Sequence, residues 1–258
     1  MKRLIVTADD VGLDRGMTEG AICAHRDGIV TACSIVANGR EFDDAVARLR
    51  DVPTLEVGVH LTMVEERSLV SGQLMPKNWR RFIFAKHDLI ADELRAQIEK
   101  VLATGLRVTH MNGHQHLHLF PRVFQLAQHL AHQYRIPYLR TVDDHGGSAG
   151  PFRRLSIAAL NFFGRRATGG NDRTIGVLEA GHLTNIERLL DHVEGVTELV
   201  THPGVNVDGY PHWRYEWDAE TRALCDPALR DAIARRGIEL IAPSQLNVGA
   251  GFSRHTAG

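Results

Sequence analysis

Residues 4–10, LIVTADD, are five apolar or β-branched residues that run without interruption into two aspartates. A run this short and this apolar reads as a buried strand, and the two acids mark the end where it leaves the core. The same form recurs along the chain: VTACSIVA at 30–37, LEVGVHL at 55–61, RVTHMN at 107–112, YLRTV at 138–142, TELVTH at 197–202 and IELIA at 238–242. Between these runs, residues 14–27, 41–51, 88–104, 121–135, 184–193 and 219–236 carry apolar residues at helical spacing, and Gly28, Gly105 and Gly237 suit helix stops. Alternating strands and helices predict a parallel α/β barrel or a close relative, in one domain spanning 1–258. The Gly-rich stretch 143–170 is long for a connection and reads as a lid insertion.

The polar residues of interest stand at or just beyond the C-terminal ends of the predicted strands: Asp9 and Asp10, His60, His114, Arg140 and His202. In a βα barrel that rim carries the active site, because each crossover returns the chain to the same face. THMNGHQHLH places His110, His114, His116 and His118 within nine residues, which points to a metal; the bland alternative is a solvated, His-rich loop. Not all four can ligate one ion. An extended backbone would set His114, His116 and His118 on one face, so that one binds and the others orient or touch substrate.

Adjacent carboxylates at a strand end are costly unless a cation or hydrogen bonds stabilise them. One of the pair can hold a metal while the other takes a proton from water; a helix N-cap beside a surface acid is the simpler alternative. With His60 in the apolar VGVHL run, the set becomes a two-His, one-carboxylate site with open positions, suited to zinc, with magnesium or manganese as alternatives. His202, ahead of Pro203 and Gly204, is a candidate general acid, against a structural strand-end histidine. Arg140 is a candidate substrate contact, against an ordinary salt bridge.

Composition narrows the partners. Of the 258 residues, 43% are hydrophobic and 24% charged, as in a soluble globular protein. Lys and Arg number 30 against 31 Asp and Glu, so no global field favours nucleic acid. Three cysteines without C-x-x-C spacing argue against a disulfide framework and fit a reducing, cytoplasmic setting. Leu4 to Ala8 is too short for the core of a secretion signal, and no run approaches the roughly 20 apolar residues that span a bilayer. Membrane contact, if any, is expected to be peripheral, and a homodimer is left open.

The segments TADDVGL, HRDGIVTACSIVANG, VGVHL, THMNGHQHLHLFP and VTHPG, in this order, resemble the YdjC-like carbohydrate deacetylases from end to end. NGHQHLHLFP, NDRTIGVLEAGHLT and VTELVTHPG are most similar to the hopanoid biosynthesis-associated deacetylase branch. The resemblance implies a distorted, incomplete TIM-like barrel in which Asp10, His60 and His114 hold a divalent metal, Asp9 is the general base and His202 assists as acid. Val11 stands where the family usually has Phe, and Gly204 often aligns with Ala; neither touches a ligand. The branch implies N-acetylglucosaminyl bacteriohopanetriol as substrate and the release of acetate.

A lipid substrate directs attention to FRRLSIAALNFFGRR at 152–166 and WRRFIFAKH at 79–87, which combine apolar centres with cations and suit interfacial anchoring; a lid helix and a packed loop are the alternative. Rival activities are a deacetylase of soluble chitooligosaccharides or other N-acetyl sugars, a metal-dependent phosphoesterase, and a sugar or lipid carrier without catalysis.

Overall fold

A computed structural model describes residues 1–83, 89–144, 155 and 170–246. Its centre is the strand that LIVTADD announces, β1 (Lys2–Val11). One edge of β1 is fully taken by β7 (Val196–Thr201), which pairs with residues 3–8. The other edge is shared: β8 (Ile238–Leu240) covers the N-terminal end and β2 (Ala32–Ile35) the C-terminal end. Beyond β2 follow β3 (Glu56–Leu61), β4 (Val108–Gly113) and β5 (Tyr138–Leu139), and beyond β7 lies β6 (Arg173–Ile175). All of these pairings are parallel.

The crossovers are α1 (Arg15–Arg26), α2 (Phe42–Arg50), α3 (Trp79–Ile83), α4 (Ile90–Leu102) and α5 (Pro121–Gln133). They bury an apolar stripe on the outward face of the sheet, where Leu4, Val6 and Ala8 of β1 join Ala21, Val46, Ile98 and Ala127. The other face of β1 looks inward, so Ile5, Thr7 and Asp9 form a ladder of rising polarity. At its foot Ile5 packs with Tyr138, Val196 and Ile241; at its head Asp9 meets only polar partners.

Two observations show that the sheet curls into a barrel. Arg140, just past β5, reaches Asp9 on β1 and Glu198 on β7, although four strands separate β5 from β7 in the sheet order. The two edge strands also meet: the Thr174 amide donates to the Asp143 carbonyl, and the Asn171 side chain bonds both Thr141 and Thr174. Among the described residues that seam consists of one isolated bridge, with its backbone bond, and side-chain bonds, with no continuous ladder. The expected TIM-like barrel is present in distorted form.

Several local expectations need correction. Residues 219–236 form two helices, α6 (Trp217–Leu224) and α7 (Pro227–Arg235), because Pro227 cannot continue a helix and Asp226 caps a new one through the Ala228 amide. Residues 184–193 yield a 3₁₀ turn at Glu187–His192. Strand β6 had no counterpart in the apolar pattern. Phe82 of WRRFIFAKH is buried edge-on against Phe120, and so is unavailable for a lipid surface. Apart from residues 143, 144, 155 and 170, the lid segment lies outside the described residues, as do 84–87; so does FRRLSIAALNFFGRR, Leu155 apart. Among the described residues, no helix is long and apolar enough to cross a membrane.

Candidate metal centre

Two adjacent residues on a regular strand point to opposite faces, which would send Asp10 outward, away from Asp9. The chain avoids this with a register shift between Ala8 and Val11 against β2, and with a left-handed backbone at Asp10 (φ 67°). A bulge of this kind turns the second carboxylate over the barrel mouth. Asp14, not either member of the pair, caps α1 by accepting from the Gly16 amide, so both acids are left for the site.

Three strand ends converge on Asp10. Its Oδ1 lies 3.1 Å from His60 Nε2 and 2.8 Å from His114 Nδ1, and one donor atom from each residue falls within 4.8 Å of the others. All three side chains are buried. Burial opposes a charge on His114, yet Asp10 and then Glu65 outweigh it and push the ring up to about 10. Burial likewise would raise Asp10, but His114 and His60 hold its carboxyl well below the usual range. Such a pocket favours positive charge between its nitrogens, and a divalent cation fits a donor set of one carboxylate and two imidazoles. Asp10, His60 and His114 are therefore a group able to hold a metal ion.

His60 is oriented for this. Its Nδ1–H donates to Asn112 Oδ1 at 2.7 Å, with Ser34 Oγ also at 3.0 Å, which leaves the Nε2 lone pair facing Asp10. The same Asn112 gives its Nδ2 to Asp9 Oδ1 at 3.0 Å, so one amide orients a histidine and the neighbouring acid together. The register that pairs His60 with Asn112, and Ser34 with Gly58, sets these inward groups side by side.

Asp9 sits deeper. Its Oδ1 accepts from Ser34, Asn112 and Arg140 Nη2, whereas Oδ2 accepts from Arg140 Nη1 at 2.5 Å. Burial would raise its pKa, but the Arg140 guanidinium, aided by His60 and His202, holds it well below the usual carboxylate range. Arg140 is completely buried, and its Nε and Nη2 donate to Glu198, which also accepts from Tyr138 and Thr7. The expected substrate contact is thus a guanidinium enclosed between two carboxylates.

His202 follows β7 and brings Nε2 to 3.9 Å from Asp10 Oδ2; burial lowers its pKa against the pull of Asp10 and Asp9. The HQHLH segment is not extended. It turns through left-handed backbone at Gln115 and His116, so the proposed one-face alternation fails. His118 is buried, donates Nε2–H to the Arg140 carbonyl at 3.0 Å and is pushed down to about 3 by burial, which makes it a support for the Arg140 segment. Burial also keeps the His116 ring uncharged, with Asp9, His202 and Arg140 as electrostatic neighbours.

A family model described as YdjC-like protein matches residues 3–235. The chain belongs to the YdjC-like family. This YdjC-like chain is 31% identical to a carbohydrate deacetylase of Geobacillus stearothermophilus, with 92% of the chain and 95% of the relative covered. It is 29% identical to a carbohydrate deacetylase of Brevibacillus brevis, over 95% of the chain and 99% of the relative. It is also 29% identical to a chitooligosaccharide deacetylase of Salmonella dublin, over 91% and 95%. Among solved structures, a candidate cellobiose-phosphate cleavage protein from Enterococcus faecalis V583 superposes with a TM-score of 0.75 at 25% identity, covering 95% of this chain and 98% of the other.

Residues around the donor set that strand-end reasoning did not single out are Ser34, Glu65, Asn112, Glu198 and Trp213. Ser34, Asn112 and Glu198 are polar residues inside apolar strands, and that alone was a signal. Trp213, which stacks on His114 at 5.2 Å and 28°, comes from the short 3₁₀ turn Pro211–Trp213 and left none.

Proposed function

We propose that this YdjC-like chain is a metal-dependent hydrolase that removes the acetyl group from N-acetylated amino sugars, with short chitooligosaccharides as the substrate class. The observation that carries the reading is the buried, ionised Asp9 beside the Asp10–His60–His114 donor set, in a chain whose relatives are named for sugar deacetylation. A bound divalent cation, zinc by the nature of the donors, supplies Lewis acidity toward an amide carbonyl and acidifies water.

The residues supply the rest. Arg140 keeps Asp9 charged, and Asp9 Oδ2, with Arg140 Nη1 as its one described donor, is the oxygen that accepts the proton of the attacking water. Because Arg140 makes Asp9 a weak base, Asp9 would suit a water whose acidity a bound cation had raised. His202 Nε2, on the far side of Asp10, gives a proton to the departing nitrogen, so that amide and water become amine and acetate. Trp213, over the His114 ring, offers an aromatic wall to a sugar.

A second substrate, N-acetylglucosaminyl bacteriohopanetriol, follows from the branch resemblance and is favoured by exposed Leu69, Val70, Leu74 and Trp79, with 36% of Trp79 open to solvent. Purified protein with verified metal, given N,N′-diacetylchitobiose and the glycosylated hopanoid separately, is expected to release acetate and free amine from the soluble sugar. Turnover of the hopanoid alone moves the substrate to lipid. Turnover of neither overturns the deacetylase reading.

A further inference from the structure

The two histidines of the donor set face Asp10 through different nitrogens. His60 offers Nε2 and gives its Nδ1–H to Asn112. His114 is turned the other way: Nδ1 lies 2.8 Å from Asp10, and Nε2 lies 3.3 Å from Glu65 Oε2. An imidazole that directs one nitrogen at a cation carries its proton on the other, and that N–H needs an acceptor to keep the ring in place.

Glu65 lies in the loop after β3 and is delivered by a strained backbone. Its φ of 69° is left-handed, a conformation that residues with side chains seldom adopt. Its amide donates to the Pro76 carbonyl at 2.9 Å, which ties the turn to the segment that returns after residue 74. The carboxylate is shielded, with 15% of the side chain exposed, and its other oxygen stands 3.8 Å from His212 Nε2. His212 and Trp213 share the 3₁₀ turn Pro211–Trp213, so the acid that meets the edge of His114 also meets the turn whose indole covers its face. An ordinary surface ion pair would need neither the shielding nor the strained backbone.

We propose that Glu65 is a positioning residue for the metal: by accepting the His114 Nε2–H it selects the tautomer whose Nδ1 lone pair faces Asp10. The assignment rests on the metal reading of Asp10, His60 and His114. Without that acceptor, both tautomers and several ring orientations of His114 become available, and the donor set loses its preorganisation.

The test uses the whole chain, stripped of metal and titrated with zinc against a chelator of known affinity, and with cobalt(II) followed by its visible bands. Glu65→Gly removes the carboxylate while relieving the left-handed backbone, so it is expected to fold at least as well as the parent. Its zinc affinity is expected to fall about 10–100-fold, with altered cobalt bands. Glu65→Gln keeps an oxygen that can accept the N–H and is expected to restore most of the affinity. Glu66→Gln removes the neighbouring charge, which meets the Tyr210 hydroxyl, and is expected to bind zinc as the parent does. Zinc binding by Glu65→Gly within twofold of the parent, with unchanged cobalt bands, overturns the proposal; so does an equal loss in Glu66→Gln. A parent that takes up no stoichiometric metal instead removes the metal reading beneath it.

Discussion

Asp9 and Asp10 are neighbours in sequence, equally buried, yet they have opposite means of balancing charge. Asp9 has a cation built into the chain: Arg140 grips it with two nitrogens and is itself shared with Glu198. Asp10 has two imidazoles, which hold positive charge only by protonation, around a space suited to an ion. The difference shows how one bulge divides labour between like residues. The acid on a fixed guanidinium stays ionised whatever is bound, whereas the acid among imidazoles depends on what arrives.

The largest effect should come from exchanging the two acids for amides one at a time. Asp10→Asn is expected to lose metal and turnover together, on the order of a thousandfold in rate, because the Lewis acid supplies several kcal/mol of transition-state stabilisation. Asp9→Asn is expected to keep its metal and still lose about 10²–10⁴-fold, the contribution of a placed base. Metal content by atomic emission beside acetate release separates the two, and a metal-free Asp9→Asn protein would break the contrast.

Stability sharpens it next. Arg140→Met leaves Asp9 and Glu198 buried without their cation and is expected to cost about 3–5 kcal/mol in urea unfolding. Adding Glu198→Gln should recover part of that loss, since the pair is coupled through one guanidinium. Equal stability of the parent and Arg140→Met would mean that the acids find another way to discharge.

Another buried carboxylate, Glu220, has no ion pair with a cation of either kind among the described residues. It accepts the His202 amide at 2.5 Å, and burial, against the pull of the His202 and Leu183 backbone, pushes it up to about 8 from 4.5. For an acid raised in the folded state, the stabilisation is complete below about pH 4.5 and is lost as pH rises through about 8. The slope for one proton reaches about 1.4 kcal/mol per pH unit. Glu220→Gln is expected to flatten the unfolding profile across that window; parallel profiles would show that Glu220 is discharged differently.

How much of this was legible depended on whether the cause was local. Strands β1, β3, β4 and β7 were readable because burial on both faces makes an apolar run, and their polar ends named Asp9, Asp10, His60 and His202. Strand β6, three residues long, offered too little pattern. The bulge at Asp10 could not be read from one strand, since a register shift exists only relative to the partner β2. Arg140 and His118 showed their chemistry but not their depth. Whether a guanidinium meets a ligand or a buried carboxylate is decided by how far the sheet curls, and that is fixed by contacts between residues some 130 and 190 positions apart, such as Arg140 with Asp9 and Thr7 with Glu198.

The seam between β5 and β6 has a consequence for how such a chain changes over generations. Residues 141–144 extend one edge of the sheet and residues 171–174 the other, and the wall where they meet is stitched by Asn171 and a single bridge. Among the described residues this wall holds no ladder for a change in connection length to break, and loop-closure entropy grows only slowly with length. A barrel whose closing wall is held by so few bonds can therefore accept insertions or deletions at that wall while Asp10, His60 and His114 stay in register on the rest of the sheet.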